Sequence, residues 1–259
     1  MGFEKVSIGI KTIARDPKLF ETIYGIQTNL PECQMIIADD GDMTNSKEEL
    51  YAELEGQGHK IILLPYDCGF GRKSNEIVKS LDRDYLLVGS DDFDFRPPFV
   101  RKGIVDLVRV LDLTDVDIAS GRVNGPYEFA LEDRGDTVIE HVVRVDFNPV
   151  PWFVDCDLTV NYSLIKRRVF DKVKWDQKPN VPHSIGGCEH GMFFLDVKRA
   201  GYRVAYVPGV RIEEQKTSDS PQYRQLRRRS SDPGRACCDI RGVRKYVLGS
   251  GQIDYEAKA

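Results

Sequence analysis

Short apolar segments alternate with amphipathic ones along the first third of the chain. Runs that are β-branched or continuously apolar predict four strands, at residues 6–13, 34–38, 60–65 and 85–88. Between the strands, apolar residues recur at helical spacing, as Leu19, Ile23 and Ile26 do after the first strand. Strands that alternate with helices in this way are typical of βαβ units. The pattern therefore predicts an α/β fold built on a parallel sheet.

Polar side chains follow each of the four predicted strands. In chain order they are Thr12 and Arg15, Asp39 and Asp40, Arg72 and Asn75, and Asp91 and Asp92. In open α/β sheets, ligands bind beyond the carboxyl ends of the strands, where such side chains meet. The sequence therefore predicts one shared ligand cleft at this edge of the sheet.

Composition narrows the class of protein. A chain of 259 residues with 41% hydrophobic and 30% charged side chains can form one large domain and is neither disordered nor collagen-like. Its longest apolar runs have the length of a strand, and its first residues lack a signal-peptide core. Six cysteines without a CxxC pair argue against a cysteine zinc site. We expect a soluble cytoplasmic protein with no membrane span.

A basic segment stands out near the end of the chain, although the net charge is -4. Residues 222–246 hold eight basic side chains and only two acidic ones. Such a run is often just a solvated tail, and it is alternatively a clamp for phosphate groups or nucleic acid. We divide the chain into a main domain, residues 1–221, and a basic extension, residues 222–259.

The pair Asp91-Asp92 is the strongest candidate for chemistry. Two carboxylates at a strand end offer hard oxygen ligands suited to Mg²⁺ or Mn²⁺, although such pairs also cap helices and fill turns. No GxGxxG follows the first strand and no GxxxxGK[ST] occurs, which disfavours a dinucleotide-binding Rossmann domain and a P-loop.

The order of these motifs resembles a known family. Thr12-x-x-Arg15, Asp39-Asp40-Gly41, the Gly-rich loop at residues 69–75 and Ser90-Asp91-Asp92 are followed by Glu189-His190. Over residues 5–215 this order is similar to inverting GT-A nucleotide-sugar glycosyltransferases, in particular the β1,4-N-acetylgalactosaminyltransferase branch. The resemblance implies a single GT-A domain with a central, mostly parallel sheet flanked by helices.

The resemblance also implies roles for individual residues. A nucleotide would be held by Thr12, Arg15, Asp39, Asp40, Arg72 and Asn75. Mn²⁺ or Mg²⁺ would be bound by Asp92, Asp91 and Glu214, the last standing where the family places a histidine. Ser90 stands where the family usually has an acid, which weakens the case for strict metal dependence.

The remaining roles concern the acceptor and the sugar. Glu189 is the first candidate for the base that activates the acceptor hydroxyl and His190 the second, although Glu189 would also suit a helix cap. Sugar contacts are expected from Trp152, Asp155, Asp157 and Asn161, with core filling as an alternative for Trp152. A clamp on the diphosphate or acceptor is expected from Arg227 and Arg228.

The function that these residues imply is metal-dependent, inverting transfer of a sugar from a nucleotide sugar, with UDP as the expected nucleotide. The acceptor would be a hydroxyl on a glycan, or on a hydroxymethylated pyrimidine of DNA as in phage DNA modification. The alternatives are a sugar-phosphate nucleotidyltransferase, which would carry a Gly-rich loop where residues 11–15 stand, and a non-catalytic nucleotide-sugar-binding module. We expect the cytoplasm of a bacterium or of a phage-infected cell, and the sequence indicates no oligomeric state.

Overall fold

The computed structural model describes residues 2–123, 128–143, 147–159, 162–176, 188–228, 233–248 and 253–256. Its first half alternates strands and helices, as the apolar pattern predicts. In order they are β1 (Val6–Thr12), α1 (Asp16–Asn29), β2 (Gln34–Asp39), α2 (Asn45–Gly56), β3 (Lys60–Leu63), α3 (Phe70–Lys79) and β4 (Tyr85–Val88). A short 3-10 helix, Phe3–Lys5, precedes β1.

The second half is richer in strands. It contains β5 (Phe93–Asp94), α4 (Pro98–Leu113), β6 (Ile118–Val123), β7 (Glu128–Asp133), β8 (Thr137–Val143), β9 (Val154–Cys156), β10 (Ser163–Lys166) and a 3-10 helix (Arg167–Asp171). These are followed by α5 (Cys188–Arg199), β11 (Val204–Glu214), α6 (Pro221–Arg228), α7 (Pro233–Ile240), β12 (Lys245–Val247) and β13 (Ile253–Glu256).

Within the described residues, the main sheet has nine strands. Its order is β3-β2-β1-β4-β10-β6-β11-β5, and β9 pairs with β11. The strands β3, β2, β1 and β4 are parallel to one another, whereas β10 runs antiparallel to both of its neighbours. The predicted α/β fold with a central, mostly parallel sheet is therefore confirmed.

Apolar side chains pack on both faces of this sheet. One face, with Ile8 and Ile10, packs on α1 and α4, and the other, with Ile36 and Ala38, packs on α3 and α5. Burial on both faces explains why β4 is a continuous apolar run rather than an alternating one. The polar residues of these strands are thereby confined to the strand ends.

A second sheet joins the basic extension to the main body. Its order is β13-β12-β8-β7, and β12 pairs in parallel with residues 137–139 of β8. Arg241 forms ion pairs with Asp176, at 2.7 Å, and with Asp196. Tyr246 and Cys238 are fully buried. The described part of the extension is thus packed rather than solvated, while the boundary at residue 221 stays a prediction.

None of the helices in the described part of the chain is long and apolar enough to cross a membrane. The expected location in the cytoplasm stays a prediction.

Candidate functional site

Three strands of the main sheet end side by side at the predicted cleft. Thr12 at the end of β1 is in register with Asp39 at the end of β2. On the other side of β1, the N–H of Gly89, which follows β4, donates to the carbonyl of Gly9 at 2.9 Å. The polar residues that follow β1, β2 and β4 therefore share one edge of the sheet.

Arg15 lies at the centre of this edge and is only 6% exposed. Its Nη1 donates to Asp91 Oδ1 at 2.8 Å, and its Nη2 donates to Asp92 Oδ2 at 2.5 Å. Burial opposes the charge of Arg15, but Asp91 and Asp92 outweigh it and raise the pKa of the guanidinium. Arg15 therefore stays charged and holds both carboxylates of the motif.

The two carboxylates differ in their surroundings. Burial raises the pKa of Asp91 to about 6, although Arg15 acts in the opposite direction. Asp92 is less buried, and its Oδ1 accepts a hydrogen bond from Ser90 Oγ at 2.5 Å. Ser90 therefore orients Asp92 and adds no negative charge beside it.

Residues 219–223, at the start of α6, cover Arg15. The ring centroid of Tyr223 in α6 lies 4.2 Å from Arg15 Cζ, and Tyr223 Oη accepts from Arg15 Nη1 at 3.2 Å. Asp219 pairs with Arg15 at 3.1 Å and with Lys18 at 2.8 Å. Gln222 Nε2 donates to Asp42 and to Tyr66, each at 3.2 Å. The start of α6 therefore lies over the loops that follow β1, β2 and β3.

Sequence reasoning missed both Asp219 and Tyr223 as neighbours of Arg15. The pair Tyr223 and Leu226 has helical spacing, and both side chains are buried against Ile13. That spacing is a signal that the segment packs, but nothing in it identifies Arg15 as the partner.

The second acidic pair is bound to lysines within the protein. Asp39 Oδ2 accepts from Tyr51 Oη at 2.7 Å and lies 3.0 Å from Lys47 Nζ. Asp40 Oδ1 lies 2.6 Å from Lys73 Nζ. These bonds fix the loop after β2, and the predicted nucleotide role of Asp39 and Asp40 stays a prediction.

Helix α3 is bound to a segment that lies far from it in the sequence. Asn75 Nδ2 donates to the Trp175 carbonyl at 2.7 Å, and Trp175 N donates to Asn75 Oδ1 at 3.1 Å. The Asn75 amide is thus committed to backbone, while Arg72 is exposed in the first turn of α3. Trp175 stacks on Phe193 with the ring centroids 4.3 Å apart, so its side chain packs in the protein core.

The candidate base lies at the start of α5. The side chain of Glu189 lies outside the described residues. His190 Nε2 is hydrogen bonded to the Thr159 carbonyl, which can only accept, so Nε2 carries the proton. Burial lowers the pKa of His190. The hydrogen bond therefore selects, for the neutral imidazole, the tautomer whose lone pair lies on Nδ1.

The predicted sugar contacts have other partners. Asp155 pairs with Arg203 at 2.7 Å, and Asp157 pairs with Lys198 at 2.8 Å. Trp152 is 45% exposed and packs edge to face against Phe153. Asn161 and the side chains of Arg227 and Arg228 lie outside the described residues. These contacts do not place Asp155 or Asp157 beside Asp91 and Asp92. The predicted roles of Asp155, Asp157 and Trp152 in sugar binding stay predictions.

Comparison with known proteins identifies the fold. The chain is 29% identical to the mouse β-1,4 N-acetylgalactosaminyltransferase 2 over 216 residues, which is 81% of this chain and 39% of that protein. The structure of GalNAc-T7 with UDP, GalNAc and Mn²⁺ superposes with a TM-score of 0.63 at 12% identity, covering 86% of this chain and 47% of that one. The chain has the GT-A fold. No family model matches the sequence.

A second GT-A structure agrees. S. aureus TarS, as a fragment in complex with UDP-GlcNAc, superposes with a TM-score of 0.58 at 12% identity and covers 83% of this chain and 60% of that one. The resemblance to GT-A nucleotide-sugar glycosyltransferases is therefore confirmed in sequence and in fold. The chain spans less than half of the mouse relative's length.

The carboxyl ends of β1, β2 and β4 carry carboxylates suited to a divalent cation, but too few to fill its coordination shell. Within the described residues, no three His, Cys, Asp or Glu side chains group into a metal site. Mg²⁺ and Mn²⁺ are commonly held by one or two carboxylates together with substrate phosphates and water, which Asp91 and Asp92 fit. The strand that carries Glu214 runs beside them, since Gln215 N donates to the Asp92 carbonyl at 2.7 Å. Arg15 Nε, buried and without a partner among the described residues, adds a donor for an anion.

Proposed function

We propose that the chain is a metal-dependent, inverting glycosyltransferase that moves a sugar from a UDP-sugar to an acceptor hydroxyl. The observation that carries the proposal is the buried Arg15 bound to both Asp91 and Asp92 at the carboxyl edge of a GT-A sheet. Structural neighbours of this fold hold UDP, UDP-GlcNAc and Mn²⁺, which supports the choice of donor and cation.

At this edge the protein's own groups would bind the donor and hold it in place. Arg15 fixes the orientation of Asp91 and Asp92, and its Nε, which has no partner among the described residues, is the donor that it can offer to a diphosphate oxygen. Asp91 and Asp92, with Glu214 on the neighbouring strand, are the groups that would hold Mn²⁺ or Mg²⁺. A divalent cation there supplies Lewis-acid neutralisation of the negative charge on the leaving UDP.

The transfer itself is a single displacement. The acceptor oxygen forms a bond to the anomeric carbon from the face opposite the phosphate, the bond from that carbon to the β-phosphate oxygen breaks, and UDP leaves with the electron pair. We assign Glu189 to take the acceptor's proton, because a carboxylate is ionised at neutral pH and the imidazole of His190 is already hydrogen bonded to the Thr159 carbonyl. The hydrogen bond from His190 to the Thr159 carbonyl anchors the first turn of α5, on which Glu189 lies.

For the acceptor we favour a hydroxyl of a glycan over a hydroxymethylated pyrimidine of DNA. The mouse relative is named as an N-acetylgalactosaminyltransferase. In the basic extension, Arg241 is held by Asp176 and Asp196, and Lys245 pairs with Glu256. These two cations are therefore engaged within the protein, which reduces the charge offered to a nucleic acid.

Release of UDP from a panel of UDP-sugars with Mn²⁺ tests the proposal. We expect turnover in the wild type and a loss of about 10²-fold or more in Asp92→Asn, the size found when one preorganised charge contact is removed. Asp94→Asn is the matched control, because Asp94 lies two positions further on and pairs with the exposed Arg96. The control is expected to keep its activity.

Other outcomes of this assay favour other functions. Release of pyrophosphate from a nucleoside triphosphate and a sugar phosphate would support a nucleotidyltransferase. Donor binding without turnover for any acceptor would support a non-catalytic module. Transfer to hydroxymethylated DNA that weakens as salt rises, and that disappears in Arg227→Gln/Arg228→Gln, would establish DNA as the acceptor.

A further inference from the structure

Lys11 is a cation at the cleft that no role above uses. It is the residue before the last one in β1 and is half-buried. Its face of the strand packs on α3, since a Cβ built at Gly9 would lie 2.8 Å from Ile77 Cγ2. Lys11 Nζ lies 4.8 Å from the ring centroid of Phe70, the first residue of α3. The ammonium thus lies between the end of β1 and the start of α3.

Every other shielded cation near this edge has a carboxylate partner. Arg15 has Asp91 and Asp92, Lys73 has Asp40, Lys47 has Asp39 and Asp16, and Lys18 has Asp219. Lys11 forms no ion pair with a carboxylate among the described residues, and the contact recorded for its ammonium is the face of Phe70. It is therefore the cation of this group that forms no ion pair with a carboxylate in the part of the chain that the structure describes.

An ammonium in this position is unfavourable for the folded protein. Burial and the neighbouring charge of Lys73 lower the pKa of Lys11 to about 7, and Asp91 only partly opposes them. His190 from α5 also faces Lys11 and adds no negative charge. A cation that is partly removed from water and lies at a ligand cleft is typical of a binding site. A bound anion would provide the negative charge that the neighbouring side chains do not.

We infer that Lys11 binds an anionic group of the donor substrate, a phosphate of the nucleoside diphosphate or a carboxylate on its sugar. This inference rests on the proposed donor, a nucleotide sugar. Helix α3 adds to the same site, because it starts beside Lys11 at Gly69 without a side-chain cap and directs its positive dipole end to the cleft edge. Lys11 would be a binding residue, distinct from the base and from the two carboxylates.

The test compares ligands that differ only in their charge. Calorimetric titration of Lys11→Met with UDP is expected to show binding about 10- to 100-fold weaker than in the wild type, the range for losing a charge-assisted contact. Uridine, which lacks phosphate, is expected to bind both proteins equally. Lys11→Arg keeps the charge and is expected to recover part of the affinity. Lys102→Met, at an exposed position in α4, is the control for net charge.

Two further measurements separate the possible results. Without ligand, the melting temperature of Lys11→Met is expected to equal or exceed that of the wild type, which shows that weaker binding is not misfolding. If Lys11→Met binds UDP and UDP-glucose as the wild type does but binds UDP-glucuronate more weakly, the anion that Lys11 binds is the sugar carboxylate. If Lys11→Met binds UDP and UDP-glucuronate as the wild type does, the inference is wrong although the proposed function stands.

The proposed function can also fail while Lys11 still binds an anion. If the wild type binds none of the UDP ligands, the proposed function fails. Inorganic diphosphate then tests Lys11 alone: binding that is lost in Lys11→Met supports the anion site, and equal binding or none in both proteins overturns it.

Discussion

Replacement of Arg15 by glutamine is expected to lower the free energy of unfolding by about 3–5 kcal/mol and to abolish UDP binding. Glutamine removes the cation between Asp91 and Asp92, which lie 2.8 and 2.5 Å from the guanidinium, and leaves both carboxylates without this ion-pair partner. It also removes the contacts to Asp219 and Tyr223 that hold α6 over the cleft.

Urea unfolding followed by circular dichroism measures this effect. Arg96→Gln is the matched control, because Arg96 also pairs with two acids, Asp94 and Glu21, but is exposed. An exposed pair contributes about 1 kcal/mol or less, so the control is expected to lose little. Equal and small losses in the two variants would show that Arg15 is not the central cation of the site. Arg15→Lys is expected to recover little, since an ammonium cannot hold two carboxylates as a guanidinium fork does.

Gly191→Ala is the second change with a large expected effect. Alanine is favoured over glycine inside a helix by about 1 kcal/mol, which alone would stabilise α5. However, a Cβ at Gly191 would overlap Tyr246 Oη and lie 2.7 Å from Tyr246 Cζ, and Tyr246 is fully buried. We expect a net loss of about 1–3 kcal/mol in unfolding free energy from this overpacking. Because Gly191 lies two residues after Glu189, a shift of α5 is also expected to lower kcat by about 10²-fold.

Two further variants isolate the cause. Gly56→Ala lies in α2 with no atom within 4 Å of the new Cβ, so it is expected to be neutral or stabilising. Tyr246→Phe removes the hydroxyl, along with its hydrogen bond to Glu140, and is expected to restore part of the stability when combined with Gly191→Ala. A rise in stability for Gly191→Ala alone, measured by urea unfolding, would contradict the close packing of α5 on the second sheet.

The first half of the fold follows from the sequence because its strands are local and buried on both faces. The apolar run at Tyr85–Val88 and the polar residues after it required only the pattern of positions. The second sheet could not be predicted from the sequence. It joins residues 245–247 to residues 137–139, and pairing over such a separation leaves no periodic signal in either segment.

The candidate site, too, could be predicted only in part from the sequence. Residue type and position predict that Asp39, Asp40, Asp91 and Asp92 meet at one edge, and the structure brings them there. Residue type does not tell whether a carboxylate faces a ligand or an internal cation. Asp40 is bound to Lys73 at 2.6 Å, a pairing that depends on how α3 packs. Lys11, for which the described residues provide no carboxylate partner, lies in a stretch that the sequence marked only for lacking a Gly-rich loop.

Crystals grown with UDP and Mn²⁺, with diffraction data collected at the manganese absorption edge, test the central claim most directly. The account predicts UDP at the carboxyl ends of β1, β2 and β4, with its diphosphate beside Arg15 and an anomalous peak next to Asp92. UDP bound away from this edge, or no bound nucleotide at saturating concentration, would contradict the account.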